Sequence, residues 1–358
     1  MDENQELSLL TARGIIAQRA SLTQNAVARQ YARRSHDWSP YGSPGYQKSL
    51  RDSDYHFTYL SEAVMSRDQS LFLNYVAWLK VLFNSLHFPA TALGETLIHT
   101  KAALQELLAP DQAAVAIRFV DAALDQYPSM PESVPSFLQP ANPHYDLAAG
   151  YLRTLLNGDR RAASQMILAA VKEGVEIKDI YLDVFQTTQR EVGRLWHLAQ
   201  VSVAQEHFCT AATQMIISQL YPYIFSGEKN GRTLVAACVG EELHEMGMRM
   251  VADFFEMDGW DTCFLGANTP TEAILSAISE RKADVAALSI ALPVHVSRVT
   301  ETIQRIRSRA RRESLKILVG GYPFNLSHGL WKAVGADGWA PDALGAVQLA
   351  NRLVEMKA

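Results

Sequence analysis

Glu242, His244 and Gly247 stand at the spacing E-x-H-x-x-G directly after the run Thr233-Leu-Val-Ala-Ala-Cys-Val239. Such an unbroken apolar or small-residue run predicts a buried parallel strand, so the three residues fall on the loop at its C-terminal end. A neutral imidazole there can ligate a transition metal. An acid two residues earlier can accept a hydrogen bond from the other ring nitrogen and so fix the tautomer and the ring orientation. A glycine three residues on removes the side chain where backbone must pass close to a ligand. A loop histidine beside acids is also a common solvated surface arrangement, so the motif gains meaning only from the elements around it.

Those elements alternate. Residues 249–257 read as a helix, 261–266 as a second strand, 285–292 as a third strand with Ser289 near its C-terminal end, and 316–321 as a fourth ending in Gly320-Gly321. Gly335-Ala-Asp-Gly-Trp-Ala-Pro-Asp342 supplies a fifth short strand and its exit turn. The alternation predicts a doubly wound five-stranded parallel sheet over 229–358, with its ligand at the C-terminal edge of the strands. Taken singly, Ser289 also reads as a strand-end cap and the glycine pair as a plain turn.

Trp196-His197 and Glu206-His207 form a second constellation upstream. Around them the chain reads as helices over 145–157, 160–173, 177–196 and 203–221, broken at Gly158-Asp159, Gly174 and 198–202. Short amphipathic helices of this kind bury their apolar stripes as a four-helix bundle, here over 145–228. Trp196 at the end of one helix and Glu206-His207 at the start of the next then share one end of that bundle, where they can face the ligand edge of the sheet. The alternative roles are a core aromatic for Trp196 and a helix-start charge pair for Glu206-His207.

Jointly, these residues resemble the cobalamin-binding region of methionine synthases, of corrinoid methyltransferase proteins and, most closely, of CarH-type adenosylcobalamin photoreceptors. The distinguishing motif of that last group is W-x9-E-H, and Trp196 with Glu206-His207 fits it without a gap. The resemblance implies that His244 replaces the cofactor's own base beneath cobalt, supported by Glu242. Gly247, Ser289, Gly320 and Gly321 would line the place of the displaced nucleotide tail. Trp196 would lie over the upper face and make room for the 5′-deoxyadenosyl group, which Glu206 and His207 help to hold. His197 would match the residue that takes the vacated upper position after light breaks the cobalt–carbon bond.

The N-terminal 140 residues depart from the CarH pattern, which begins with a winged helix-turn-helix. No recognition-helix pattern occurs here; the stretch Arg29–Arg34 holds three arginines and runs into a loop-like composition over 35–45. A net charge of −5 and a pI of about 6.1 also argue against duplex DNA as a standing partner. Instead, aromatic residues cluster at helical spacing, with positions 72, 75, 76, 79, 82 and 83 forming one stripe. Much of this is core packing of an all-helical domain. The patterns D-x-D-Y-x-x-x-Y-L and Y-V-x-W-L beside such a cobalamin region also resemble photocobilins, which hold a bilin as well. That resemblance implies a linear tetrapyrrole, biliverdin, near Tyr55, His56 and Tyr59, with His87 and His99 as further polar groups. No cysteine precedes Cys209, so a bilin in this domain would be non-covalent. A helical dimerisation or partner-docking domain is the other reading.

The chain is long enough, at 358 residues, for two to three domains. The expected division is 1–140 helical, 145–228 bundle and 229–358 Rossmann-like, so the fold class is α plus α/β. The stretch 127–143, with five prolines in seventeen residues, reads as the linker. The acidic start has no apolar stretch behind it and nothing approaches a membrane span, so a cytoplasmic protein is expected. Cys209, Cys238 and Cys263 read as buried thiols of a reducing compartment. Two functions follow. The first is a light sensor rather than an enzyme, binding adenosylcobalamin and signalling through an unknown downstream protein or a light-dependent homo-oligomer. The alternative is a corrinoid methyl carrier of a methyltransferase system. A carrier needs an open upper face and has no use for a bulky cap such as Trp196.

Overall fold

The computed structural model describes residues 3–33, 42–225, 227–309 and 314–355. Its N-terminal part is all helical: α1 (Glu3–Ala17), α2 (Arg19–Arg33), α3 (Gly42–Ser66), α4 (Gln69–Ser85), α5 (Ala92–Leu107) and α6 (Pro110–Gln126), then a 3-10 turn Tyr127–Ser129. The expected stripe is the inner face of α4: Phe72, Tyr75, Val76 and Leu79 are buried, while Leu82 and Phe83 are half-buried at its end. α1 packs on α3 and α6, and α2 on α3 and α5. One expectation fails here. Gly42-Ser43-Pro44-Gly45 is the first turn of α3 rather than loop, because proline fits a first helical turn, where its missing N–H would have had no partner. Residues 35–41 of the same loop-like stretch, and Arg34 before them, lie outside the described residues.

The bundle follows as α7 (Tyr145–Leu156), α8 (Arg160–Lys172), a long helix α9 over 177–197, α10 (Val203–Gln219) and the short α11 (Tyr221–Ile224). Its breaks fall where the sequence puts them. Gly158 and Gly174 take positive φ, and Asp159 caps α8 by accepting from Ala162 N–H at 2.9 Å. Ser202 and Gln205 form a reciprocal capping box at the start of α10. α9 is not uniform: an α turn Ile177–Asp179 widens into a π-helical stretch Ile180–Gln186 before α geometry resumes over Thr187–His197. The stretch 127–143 is also not a free tether. From residue 133 it is strapped to the bundle by Phe137 N–H donating to Glu191 (2.8 Å), Arg194 donating to the Val134 carbonyl (3.3 Å) and Asn142 donating to the Asp183 carbonyl (2.8 Å).

The C-terminal part is a sheet of β1 (Thr233–Cys238), β2 (Asp261–Phe264), β3 (Val285–Ser289), β4 (Lys316–Gly320) and β5 (Gly338–Trp339), in the order β2-β1-β3-β4-β5 and parallel throughout. Between the strands run α12 (Met246–Met257), α13 (Thr271–Arg281), α14 (Val296–Arg309), α15 (Tyr322–Leu326) and α16 (Leu330–Ala333), with α17 (Ala343–Glu355) last. Helices on both faces explain why β1 and β3 are apolar throughout rather than alternating. The strands stop earlier than the apolar runs do: β3 ends at Ser289, although Ile290 stays buried and its N–H still donates to the Gly320 carbonyl at 3.2 Å. α12 begins at Met246, three residues before the expected start.

The chain forms two compact units. One is Met1–Glu132 with Leu292–Ser297 and Leu326–Ala333. The other, Ser133–Ala291 with Arg298–Asn325 and Val334–Ala358, holds both bundle and sheet around one core. Within it α12 is tied to α9 by the Tyr181 hydroxyl donating to Asp253 at 2.8 Å, with both residues buried.

Candidate functional site

The order β2-β1-β3-β4-β5 reverses direction between β1 and β3, and ligands of open α/β sheets bind outside the strand ends at that point. The loop after β1 carries Glu242 and His244 there. Glu242 is fully buried and satisfied on both oxygens: Oε1 accepts from His244 Nδ1 (2.5 Å) and from His244 N–H (2.9 Å), and Oε2 accepts from Ala291 N–H (2.7 Å). Burial alone would raise this carboxyl, but the hydrogen bonds from His244 and Ala291 hold it at about 2. The hydrogen bond to Glu242 in turn pushes the His244 imidazole up, against the burial that pulls it down, and the charge of Glu206 acts in the same upward direction. With Nδ1 committed, Nε2 is the nitrogen left for a metal, on a side chain 61 % exposed.

The loop is pinned from three sides. Glu241, at φ 70°, donates its N–H to Asn268 (2.7 Å), and Asn268 N–H donates to the Glu242 carbonyl (2.8 Å). Glu245 accepts from Gln214 of α10 and from Ala267 N–H, both at 2.9 Å. Leu243, between the two key residues, is 69 % exposed. Sequence reasoning passed over it, although one large apolar residue between two acids and a histidine was the available signal. Among the described residues no group of three or more His, Cys, Asp or Glu could hold a metal ion. A metal held by His244 would have to bring its other ligands with it, as cobalt in a corrin does.

Beside the loop a cavity of about 640 Å³ opens between the bundle and the sheet. Gly247, Ser289, Gly320 and Gly321 all line it, as the sequence places them, with Met250 and Leu318 among its apolar walls. A Cβ at Gly247 or Gly320 would project into open space, so these glycines leave room that a ligand can fill. Gly321 has a further role: at φ 103° its Cβ would lie 1.9 Å from the Ile290 carbonyl oxygen, so no other residue fits there. α9 and the strap add to the lining through Gln186 at the end of the π-helical stretch, Gln189 and Arg190 in the α-helical part that follows, and Phe137, none of which the sequence singled out. The donor on the loop and the cavity beside it together fit a cobalamin whose nucleotide tail is displaced.

Trp196 and His197 close α9. Trp196 is 38 % exposed, whereas His197 is turned into the protein and buried. Glu206 and His207 lie at the start of α10, where the His207 ring donates to Glu206, and the charge of Glu206 acts on His244. In the N-terminal unit the three chosen residues of α3 do not share a face. Tyr55 is exposed, Tyr59 stacks on Tyr75 with centroids 3.7 Å apart, and His56 is in the core with Nδ1 2.7 Å from the Tyr75 hydroxyl. Positions 55 and 59 are one turn apart, while 56 shares the inward face of Leu60 and Ala63.

Residues 232–348 match a B12 binding domain model, 147–221 a second B12 binding domain model, and 2–127 a phycobilisome protein model. A corrinoid protein of Desulfitobacterium hafniense is 25% identical over 208 residues, 56% of this chain and 94% of that protein. Dimethylamine corrinoid protein 1 of Methanosarcina acetivorans is 24% identical over 197 residues, 52% of this chain and 90% of its own length. The HTH-type transcriptional repressor CarA of Myxococcus xanthus is 31% identical over 100 residues, 28% of this chain and 33% of that protein. Among solved structures, the monomethylamine corrinoid protein of Methanosarcina barkeri superposes with a TM-score of 0.52 at 19% identity, over 60% of this chain and 99% of that one, which shows the shared fold. Bundle and sheet thus each resemble a B12 binding domain, and together they are similar to corrinoid proteins over almost the whole length of those proteins.

Proposed function

We propose that the chain is a light sensor that holds adenosylcobalamin between bundle and sheet, with His244 beneath cobalt and Trp196, Glu206 and His207 over the upper face. The observation that carries this reading is the cap: an exposed tryptophan ends α9, and Glu206, which takes the ring donor of His207 at the start of α10, bears electrostatically on His244. Bound adenosylcobalamin supplies a light-labile cobalt–carbon bond. The chain's part is to hold the His244 tautomer through Glu242, to shelter the upper group, and to offer His197 when that group leaves. Because His197 is buried, its engagement requires α9 to shift, which is a means of turning ligand exchange into movement.

The N-terminal helices add a non-covalent linear tetrapyrrole, biliverdin, to this proposal. The match of residues 2–127 to a phycobilisome protein model supports it, and on α3 Tyr55 is exposed and Tyr59 half-buried. A methyl carrier is the second reading, favoured by the near full-length alignment to corrinoid proteins, one of them named for dimethylamine.

Absorbance and gel filtration of the adenosylcobalamin-loaded protein, in the dark and after green illumination, separate the two. The sensor gives a new stable cobalt spectrum together with a change in elution. Photolysis with no change in elution or in protein conformation favours the carrier, which would instead accept a methyl group from a methyltransferase. Mixing with biliverdin tests the second chromophore, with a sharpened far-red band that co-elutes as the expected result.

A further inference from the structure

Glu206 is not left to find its own orientation. Its Oε2 takes the His207 ring donor, and its Oε1 lies 3.1 Å from the Thr210 hydroxyl, one turn along α10. The same hydroxyl lies 3.2 Å from Oε1 of Gln189 on α9. Both neighbours are acceptors and a threonine hydroxyl carries one proton, so Thr210 can donate to only one of them at a time. Gln189 is itself anchored: its amide donates to Thr213 at 2.9 Å and to the Cys209 carbonyl at 3.4 Å, and Thr213 shares a 2.9 Å hydrogen bond with the buried Tyr151 hydroxyl. Gln189 also lines the cavity beside the β1 loop. One half-buried hydroxyl therefore stands between the carboxylate of the cap and a glutamine on the cavity wall.

We propose that Thr210 is the positioning residue that sets upper-ligand selectivity, holding the Glu206 carboxylate ready for a hydroxyl-bearing upper group and turning its proton to Gln189 when such a group donates to Glu206 instead. This rests on the cobalamin reading above. In the first position the carboxylate is aimed and its charge partly satisfied. In the second it is free to accept from the ligand, and Thr210 keeps a partner, so its donor is not stranded. An upper group without hydroxyls cannot use the exchange. The mechanism thus discriminates adenosyl, whose ribose bears hydroxyls, from methyl, which has none.

Thr210→Val keeps the shape and removes the proton, while Thr210→Ser keeps the proton. Dissociation constants for adenosylcobalamin and methylcobalamin are measured in the dark for wild type and both variants by equilibrium dialysis. The expected result is an adenosyl-to-methyl preference lowered about tenfold in Thr210→Val, with methylcobalamin affinity unchanged and the preference retained in Thr210→Ser. An unchanged ratio in Thr210→Val overturns the proposal, as does an equal loss for both ligands, which marks a purely structural hydroxyl. A wild type that binds neither corrinoid overturns the cobalamin reading itself. A wild type that binds both without preference overturns the selectivity proposal and leaves cobalamin binding standing.

Discussion

At the scale of single residues, the site depends on a buried acid doing three things at once. Glu242 fixes the His244 ring, caps the loop backbone and bonds Ala291 next to β3. His244→Ala is expected to abolish or greatly weaken cobalamin binding while circular dichroism stays native. Glu242→Gln should cost roughly 10- to 100-fold in affinity, the usual effect of losing the partner behind a metal-ligating histidine. Cobalt competes with a proton for Nε2, so wild-type affinity should rise with pH through the elevated His244 value, and binding measured across a pH series from mildly acidic to mildly alkaline reads this. His56 gives a second pH signature. Burial pushes it down to about 4, so the fold admits only its neutral form. A depressed histidine contributes stability that is present above its unfolded value of about 6.5 and lost as pH falls toward 4, on the order of 3 kcal/mol in all. Thermal midpoints of the full chain should fall less steeply over that window in His56→Phe than in wild type.

At the scale of elements, helix ends decide what the helices can do. α9 ends at Trp196-His197 and α10 starts at a capping box, so the cap residues flank a turn whose α10 end is fixed by hydrogen bonds of Ser202 and Gln205. The π-helical stretch of α9 brings Gln186 to the cavity, an instance of irregular helix geometry at a functional site. In the other unit, the end of α6 is held by a buried lysine. Lys80 of α4 donates to the Tyr127 carbonyl (3.1 Å) and the Met130 carbonyl (2.8 Å), lies over the Tyr127 ring and sits 3.8 Å from Glu132. The Tyr127 carbonyl also accepts from Met130 N–H at 3.3 Å, and the cation fits the negative end of the helix dipole. Lys80→Met should therefore destabilise the chain by about 2 kcal/mol, read from urea unfolding followed by far-ultraviolet circular dichroism. A change below about 0.5 kcal/mol would show that water serves these carbonyls equally well.

At the scale of the whole molecule, the question is how a change at cobalt becomes a change in the protein. Illuminated wild type should show a bis-histidine spectrum, and illuminated His197→Ala an aquo-type spectrum that decays at a different rate. Identical illuminated spectra would leave His197 as a core residue of the bundle. No helix among the described residues is long and apolar enough to cross a membrane. The sequence by itself determined the fold class, because period and composition are local: buried parallel strands read as apolar runs, and glycine and capping residues mark the breaks of the bundle. It also carried the Glu242–His244 pair, since two residues on one loop meet wherever that loop goes. What it could not carry are meetings across long separations. Gln189 with Thr210, Phe137 with Glu191 and Lys80 with the end of α6 join elements whose relative placement follows from packing, which no local spacing encodes. The same holds for His56, whose inward direction was decided by the helix face that the core claimed, and for Gly321, whose necessity appears only when Ile290 is brought against it.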